Sequence, residues 1–311
     1  MPDTTSTPPP PTRPLSPSRV SDFLTCPLLY RFRVIDRLPE PESPAALRGT
    51  LVHEVLEMLF DLPAAQRTLD QAVSLVRPRW RAMSAARPEV AAAISPDALE
   101  EWLARAGDRL ETYFALEDPS RLEPAARELP VCAELPSGVV LHGRVDRVDQ
   151  ARNGALRVID YKTGRSPYVG RETAAMFQLR MYALALWSME GRVPALLQLL
   201  YLGDGVVLTD RPDPADLRRT ERKVQSIADA IGRAERTDDF RPKPSVACRW
   251  CAHCALCPAF ASDGVAMPSE DPTGEAAPLL ARLDEARQHA EAPARAEHPP
   301  RPAPADGITP S

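Results

Sequence analysis

No stretch of this chain approaches the roughly 20 consecutive apolar residues that a membrane-spanning helix needs. The opening MPDTTSTPPPPTRPLSP holds no apolar segment of the kind that directs secretion. The expectation is a cytoplasmic protein with no membrane contact. There is no internal repeat. An excess of positive charge is missing too, since 38 basic residues stand against 43 acidic ones, a net charge of -5. That imbalance is local: from Asp263 onward there are nine acidic and four basic residues, so the preceding residues carry 34 of each sign. A neutral body permits a basic groove without demonstrating one, so charge alone leaves nucleic-acid binding undecided. Cysteine is scarce, with six residues, and four of them crowd into CRWCAHCALC. In a cytoplasmic chain this pattern excludes a disulfide framework and points to metal or cluster ligation.

With 311 residues, 44% of them hydrophobic, the chain can bury a sizeable core. Residues 1–14 are Pro/Thr-rich and residues 262–311 are rich in Ala, Pro and Glu, and both read as disordered tails; one short amphipathic helix is expected in PLLARLDEARQHA. The folded domain is expected at 15–261. Its first part, 15–126, reads as mainly helical, with apolar residues at three-and-four spacing in SRVSDFLTCPLLYRF and GTLVHEVLEMLF. Over 127–210 the period changes to two, and ELPVCAEL, VVLHGRVDRVD and ALRVIDYKT read as consecutive strands. Asn153-Gly154 marks a hairpin turn between the last two. A helix in ETAAMFQLRMYALALWSME and a strand in ALLQLLYLG complete this core, and 211–261 holds a charged helix followed by the cysteines.

Side chains two apart on a strand share a face, so Asp160 and Lys162 project together while Ile159 and Tyr161 point the other way. A hairpin centred near Asn153-Gly154 brings Asp146 opposite Asp160. Two carboxylates, backbone carbonyls and water suit a hard divalent cation such as Mg²⁺ or Mn²⁺. A lysine beside them can orient water or neutralise charge in a phosphoryl transition state. An ordinary surface hairpin of Asp/Lys pairs would look the same, so the pattern gains its meaning from its neighbours. These are Gly49-x3-His53-x3-Glu57 on an earlier helix, Glu128 at the start of the preceding strand, and Gln178-x3-Tyr182 on the following helix.

In this order the segments resemble a stand-alone RecB-type exonuclease of the PD-(D/E)XK nuclease superfamily, from about Leu15 to Pro258. The resemblance implies an α/β, restriction-endonuclease-like fold, a central mixed β-sheet flanked by helices, with a helical N-terminal part and a C-terminal cysteine cluster. It implies that His53 stands near the metal and that Asp146 and Asp160 supply metal carboxylates, with the Tyr161 carbonyl also open to the metal. Lys162 is the matching lysine, and Gln178 and Tyr182 support it and the DNA backbone. Glu128 matches an acidic residue that often starts the first core strand, and ranks below the others because one Glu before an apolar run is common. Glu57 reads as a solvated or supporting residue, and His142 and Asp149 as structural.

Cys248, Cys251, Cys254 and Cys257 recur every third residue, a density that favours a metal or iron–sulfur centre. A zinc knot, a ferredoxin-like run and a cluster with a distant ligand all fit that spacing. The resemblance favours the third, because iron–sulfur members such as AddB and the CRISPR adaptation nucleases place one cysteine before the histidine motif and three after the core. Cys26 with Cys248, Cys251 and Cys257 fits that arrangement around a [4Fe-4S] cluster, with zinc as the alternative and Cys254 as an extra thiol that could replace Cys251 or Cys257. His253 reads as a bystander ahead of a zinc ligand, and Cys132 as buried and inert. The activity implied by the resemblance is that of a Mg²⁺- or Mn²⁺-dependent exonuclease acting on single-stranded DNA or strand ends in repair or recombination. A CRISPR-adaptation nuclease shares this site, and a non-catalytic DNA-binding scaffold is the other reading. No G-x4-G-K-[ST] motif is present, so unwinding is expected to need a partner helicase.

Overall fold

A computed structural model describes residues 13–168 and 172–261. The expected helix in PLLARLDEARQHA lies outside these residues.

Helix starts follow from side chains that accept the unpaired N–H groups of a first turn. Ser16 caps α1 (Pro17–Thr25), which leads into the short α2 (Pro27–Tyr30). Ser43 caps α3 (Pro44–Leu59) and Thr68 caps α4 (Leu69–Ala86). The short α5 (Pro88–Ala92) and then α6 (Leu99–Leu116) complete the N-terminal layer. The single helix expected across SRVSDFLTCPLLYRF is broken at Cys26, whose backbone is extended (φ -160°, ψ 117°). Pro27 is the cause, because its ring disfavours the helical region for the residue before it. The break turns Cys26 out of a helical row and leaves its sulfur accepting a hydrogen bond from the Lys243 N–H at 3.3 Å.

The sheet is formed by β1 (Ala126–Glu134), β2 (Val140–Gln150), β3 (Leu156–Lys162), β4 (Leu196–Tyr201) and β5 (Val206–Asp210), in that spatial order. β3 and β4 are parallel and every other pair is antiparallel. The parallel step is made by a crossover through α7 (Glu172–Glu190), and α8 (Pro214–Thr237), opened by a reciprocal Asp213/Asp216 box, packs beside it. α9 (Pro258–Ala261) follows the cysteines. The sequence pattern does not single out β5, because it is a short edge strand whose valines are more than a third exposed.

Two apolar clusters sandwich the sheet. α3, α4 and α6 pack with Ile159, Tyr161, Leu200 and Leu202 on one face, and α1, α7 and α8 with Val145, Val158, Leu197 and Leu199 on the other. This is the mixed sheet flanked by helices that the sequence implies. Cys132 departs from expectation: it is exposed, because it alternates with the inward-facing Val131 and Ala133. Among the described residues no helix is long and apolar enough to cross a membrane.

Candidate metal and active site

The site lies where two strand pairings lapse. Arg147 pairs with Ile159, so the next step puts Asp146 opposite Asp160, but the ladder ends there. The Asp146 carboxylate takes the place of a backbone acceptor, receiving the Tyr161 N–H at 2.7 Å. On the other side of β2, the β1 ladder skips Glu128, whose φ of 44° is left-handed. A regular strand keeps odd positions on one face. Here Val131 and Ala133 join the α7 core, while Arg127 reaches back to the Glu57 carbonyl and Asp61 on the α3 side. Glu128 is therefore where β1 turns over. Strained backbone of this kind is held by its surroundings and concentrates at functional sites.

His53, Glu128 and Asp146 each offer a ligand atom within 4.8 Å of the others. The Nε2 of His53 lies 3.0 Å from the Tyr161 carbonyl, which can only accept, so that nitrogen carries the proton. Burial holds His53 below its ordinary pKa and neutral, leaving the Nδ1 lone pair 3.4 Å from Asp146 Oδ2. Burial pushes Asp146 well above the usual carboxylate range, with the Asp160 charge adding to it, and burial followed by Glu57 raises Glu128. Three electron-rich groups thus converge, a donor set that suits a divalent metal. Gly49, Thr50, Glu54, Glu57 and Arg144 form the mouth of this cleft.

A carboxyl that holds its proton more tightly folded than unfolded costs stability as pH rises from its unfolded pKa through its folded one. In EDTA, Asp146→Asn is expected to melt higher than wild type at pH 7, by about 2–4 °C for each kcal/mol relieved. The difference should shrink towards pH 5. Thermal melts of both proteins across that range, with and without Mn²⁺, check the sign.

Asp160 and Lys162 face α7. Lys162 Nζ lies 2.6 Å from Asp160 Oδ2 and donates to Gln178 Oε1 at 3.0 Å, while Gln178 Nε2 donates to Asp160 Oδ1 at 3.0 Å. Gln178 thereby fixes both partners. Tyr182, one turn on, is buried over β2, where the Arg144 backbone and Gln178 meet its hydroxyl. Its ring requires the glycine of G-x-x-D: a β-carbon on Gly143 would stand 2.6 Å from it. Gly49, four residues before His53, lets α3 approach the end of β3, where a β-carbon would meet Thr163 at 3.1 Å.

His53, Asp146, Tyr161, Asp160, Lys162 and Gln178 are therefore contiguous, and Tyr182 adjoins them. Glu128, ranked low from sequence, offers an oxygen within 4.8 Å of the His53 and Asp146 ligand atoms, while the Asp160 oxygens meet Lys162 and Gln178. Two residues with no sequence signal, Arg147 and Glu117, stand behind the site. Arg147 is 1% exposed and donates to Glu117 at 3.0 and 2.7 Å. Asp149 joins them, 3.0 Å from Arg147 Nε.

Cys26, Cys248, Cys251, Cys254 and Cys257 all line one second cavity, with Leu28, Phe32 and Phe260. Cys248 Sγ accepts the Ser245 N–H at 3.3 Å, as Cys26 does that of Lys243. The Cys254 thiol differs, donating to the Cys248 carbonyl at 2.9 Å. His253 is buried and sits 2.6 Å from Glu40 with its ring against Phe32.

The chain has recognisable relatives. A gene 69 protein of Mycobacterium phage D29 is 26% identical over 275 residues, covering 79% of this chain and 96% of its own. The crystal structure of an exonuclease candidate from Eubacterium rectale superposes with a TM-score of 0.52 at 14% identity, over 85% of this chain and 93% of its own, a likeness of fold. The model of the PD-(D/E)XK nuclease superfamily matches residues 14–258, a span that takes in both the forked strands and the cysteines. On that match and this fold, the chain belongs to the PD-(D/E)XK nuclease superfamily.

Proposed function

We propose that this chain is a divalent-cation-dependent DNA exonuclease that hydrolyses phosphodiester bonds at single-stranded ends in repair or recombination, in the cytoplasm. The observation that carries the reading is the meeting, at one strand fork, of the His53–Glu128–Asp146 donor set with the Asp160–Lys162–Gln178 triangle. His53, Asp146, Asp160 and the Tyr161 carbonyl are the proposed metal ligands, with Glu128 beside them. A divalent cation held there supplies Lewis-acid polarisation of a phosphoryl oxygen and makes water more acidic. Lys162 keeps its ammonium in place through two of its three N–H donors and presents the third to the phosphate, where it neutralises charge as water attacks phosphorus and the ester oxygen leaves. Gln178 holds that ammonium; Tyr182 seats the helix that carries Gln178.

A groove of about 750 Å³ between α1, α7 and the cysteine segment ends on Lys162 and Gln178. Its walls include Val20, Leu24, Phe177, Met181 and Tyr201. Apolar and aromatic walls suit the exposed faces of unpaired bases, which a duplex hides. This supports a single-stranded substrate and a helicase or similar partner that supplies it.

The convergence of the cysteines on one cavity supports a [4Fe-4S] cluster held by Cys26, Cys248, Cys251 and Cys257. Its role in this reading is structural, tying the first helices to the segment after α8.

The test uses cluster-intact protein with end-labelled linear single strands, linear duplex and circular single strands, in Mg²⁺, Mn²⁺ or EDTA. Shortening of the linear single strand alone, abolished by EDTA, is expected. An imidazole among oxygen ligands favours Mn²⁺ over Mg²⁺, so Mn²⁺ should act at lower concentration. Cleavage of the circle makes the enzyme an endonuclease, and cleavage unaffected by EDTA overturns the metal reading.

A further inference from the structure

Asp146 and Arg147 are sequence neighbours with opposite surroundings. Asp146 faces the cation site, while the Arg147 guanidinium is sealed beneath it at 1% exposure. Arg147 Nη1 donates to the phenol oxygens of Tyr161 at 2.6 Å and Tyr113 at 3.1 Å. Its guanidinium lies over the Tyr161 ring at 5.7 Å and the Phe60 ring at 5.4 Å. Glu117 and Asp149 each pair with both Arg147 and Arg157, which closes a ring of four alternating charges.

Such a ring, buried at Arg147 and half-buried at its other three members, is a poor source of stability, because the desolvation of its charges offsets much of their attraction. Its location explains it better. Tyr161 is gripped at every polar atom: its N–H by Asp146, its carbonyl by His53 and its phenol by Arg147. Its ring also meets the His53 ring edge-on at 5.8 Å and the Tyr113 ring at 5.7 Å. Phe60, the other ring under the guanidinium, closes the helix that carries His53. Arg147 therefore touches both the residue between Asp160 and Lys162 and the end of the His53 helix.

We propose that Arg147 is a positioning residue that sets divalent-cation affinity, by locking Tyr161 and α3 so that His53 and Asp146, both hydrogen-bonded to the Tyr161 backbone, stay within ligand distance of one another. Arg147 makes no contact with the cation or the substrate. Only a planar fork can donate to two phenols and two carboxylates at once, so lysine is not a conservative replacement. The inference rests on the metal-nuclease reading above.

The test is calorimetric titration of Mn²⁺ into DNA-free, cluster-intact protein, for wild type, Arg147→Lys, Arg147→Met, Tyr161→Phe and Trp80→Leu. Trp80→Leu disturbs the same apolar layer away from Tyr161 and serves as a control for lost stability. Supporting partners of metal ligands are worth about 10- to 100-fold in affinity. That weakening is expected in both Arg147 variants and, in the same direction, in Tyr161→Phe, with Trp80→Leu binding like wild type despite a lower melting temperature. The cleavage rate of Arg147→Lys at saturating Mn²⁺ should return close to wild type, which puts the defect in the activation constant rather than in kcat. If Arg147→Met does not fold, Arg147→Lys and Tyr161→Phe decide. Wild-type affinity in those two overturns the role of Arg147; a wild-type protein that binds no Mn²⁺ overturns the metal site itself.

Discussion

Lys162→Ala is expected to slow DNA cleavage by about 10²–10³-fold, the usual consequence of removing one electrostatic donor from a reacting centre. Lys162 is the one cation in the Asp160–Lys162–Gln178 triangle, and it also lines the groove that reaches the site. Its loss removes the charge proposed to face the phosphate and leaves Asp160 and Gln178 joined by their own hydrogen bond. The His53–Glu128–Asp146 set does not include Lys162, so Mn²⁺ affinity should stay within a few-fold of wild type. Single-turnover rates beside a Mn²⁺ titration separate the two effects. Gln178→Ala should act in the same direction and more weakly, because it leaves the ammonium present but unanchored.

Cys26→Ser is expected to abolish the visible absorption of the proposed [4Fe-4S] cluster and to lower the melting temperature by about 10–20 °C. Cys26 and Cys248 line one cavity but are separated by more than 220 residues in sequence. By the chain-entropy argument, a crosslink closing a loop of that length restricts the unfolded state by about 5 kcal/mol. Cys132→Ser, on the exposed face of β1, is the matched control and should change neither property. Cys254→Ser should keep the absorption, since the Cys254 thiol is engaged with the Cys248 carbonyl. Full thermal stability in Cys26→Ser, with the absorption lost, would contradict a structural role for the cluster.

The parts of the site that could be read from sequence are those set by local geometry. Asn153-Gly154 specifies a tight turn, with Gly154 at φ 83°, and a turn centred there fixes Asp146 opposite Asp160 by counting alone. The i, i+4 spacing of Gln178 and Tyr182 puts both over β2 and β3 once α7 crosses between the parallel strands. Pro27 explains the break at Cys26, but only with its effect on the preceding residue in mind.

The rest of the site depends on long-range packing. Glu128 comes within 4.8 Å of the His53 and Asp146 ligand atoms where its left-handed backbone turns β1 over, and no residue-type preference marks a glutamate for that conformation. Arg147 and Glu117 lie 30 residues apart, on β2 and just past the end of α6, and their pairing exists only because the helical layer closes on that face of the sheet. By period alone Arg147 looks like one more polar residue in an alternating strand. The exposed Cys132 shows the same limit in reverse, since an apolar residue type on an edge strand faces solvent when its neighbours claim the core.

Whether Asp160 and Lys162 act in phosphodiester hydrolysis, rather than in a folded scaffold, decides the function of this protein. The most direct measurement is cleavage of end-labelled single-stranded DNA in Mn²⁺ by cluster-intact wild type, Asp160→Ala and Lys162→Ala at matched concentrations. The prediction is progressive shortening by wild type and at least roughly a hundredfold slower cleavage by each variant, with cluster absorption retained in all three. Equal cleavage by wild type and both variants, or cleavage by none, would contradict it.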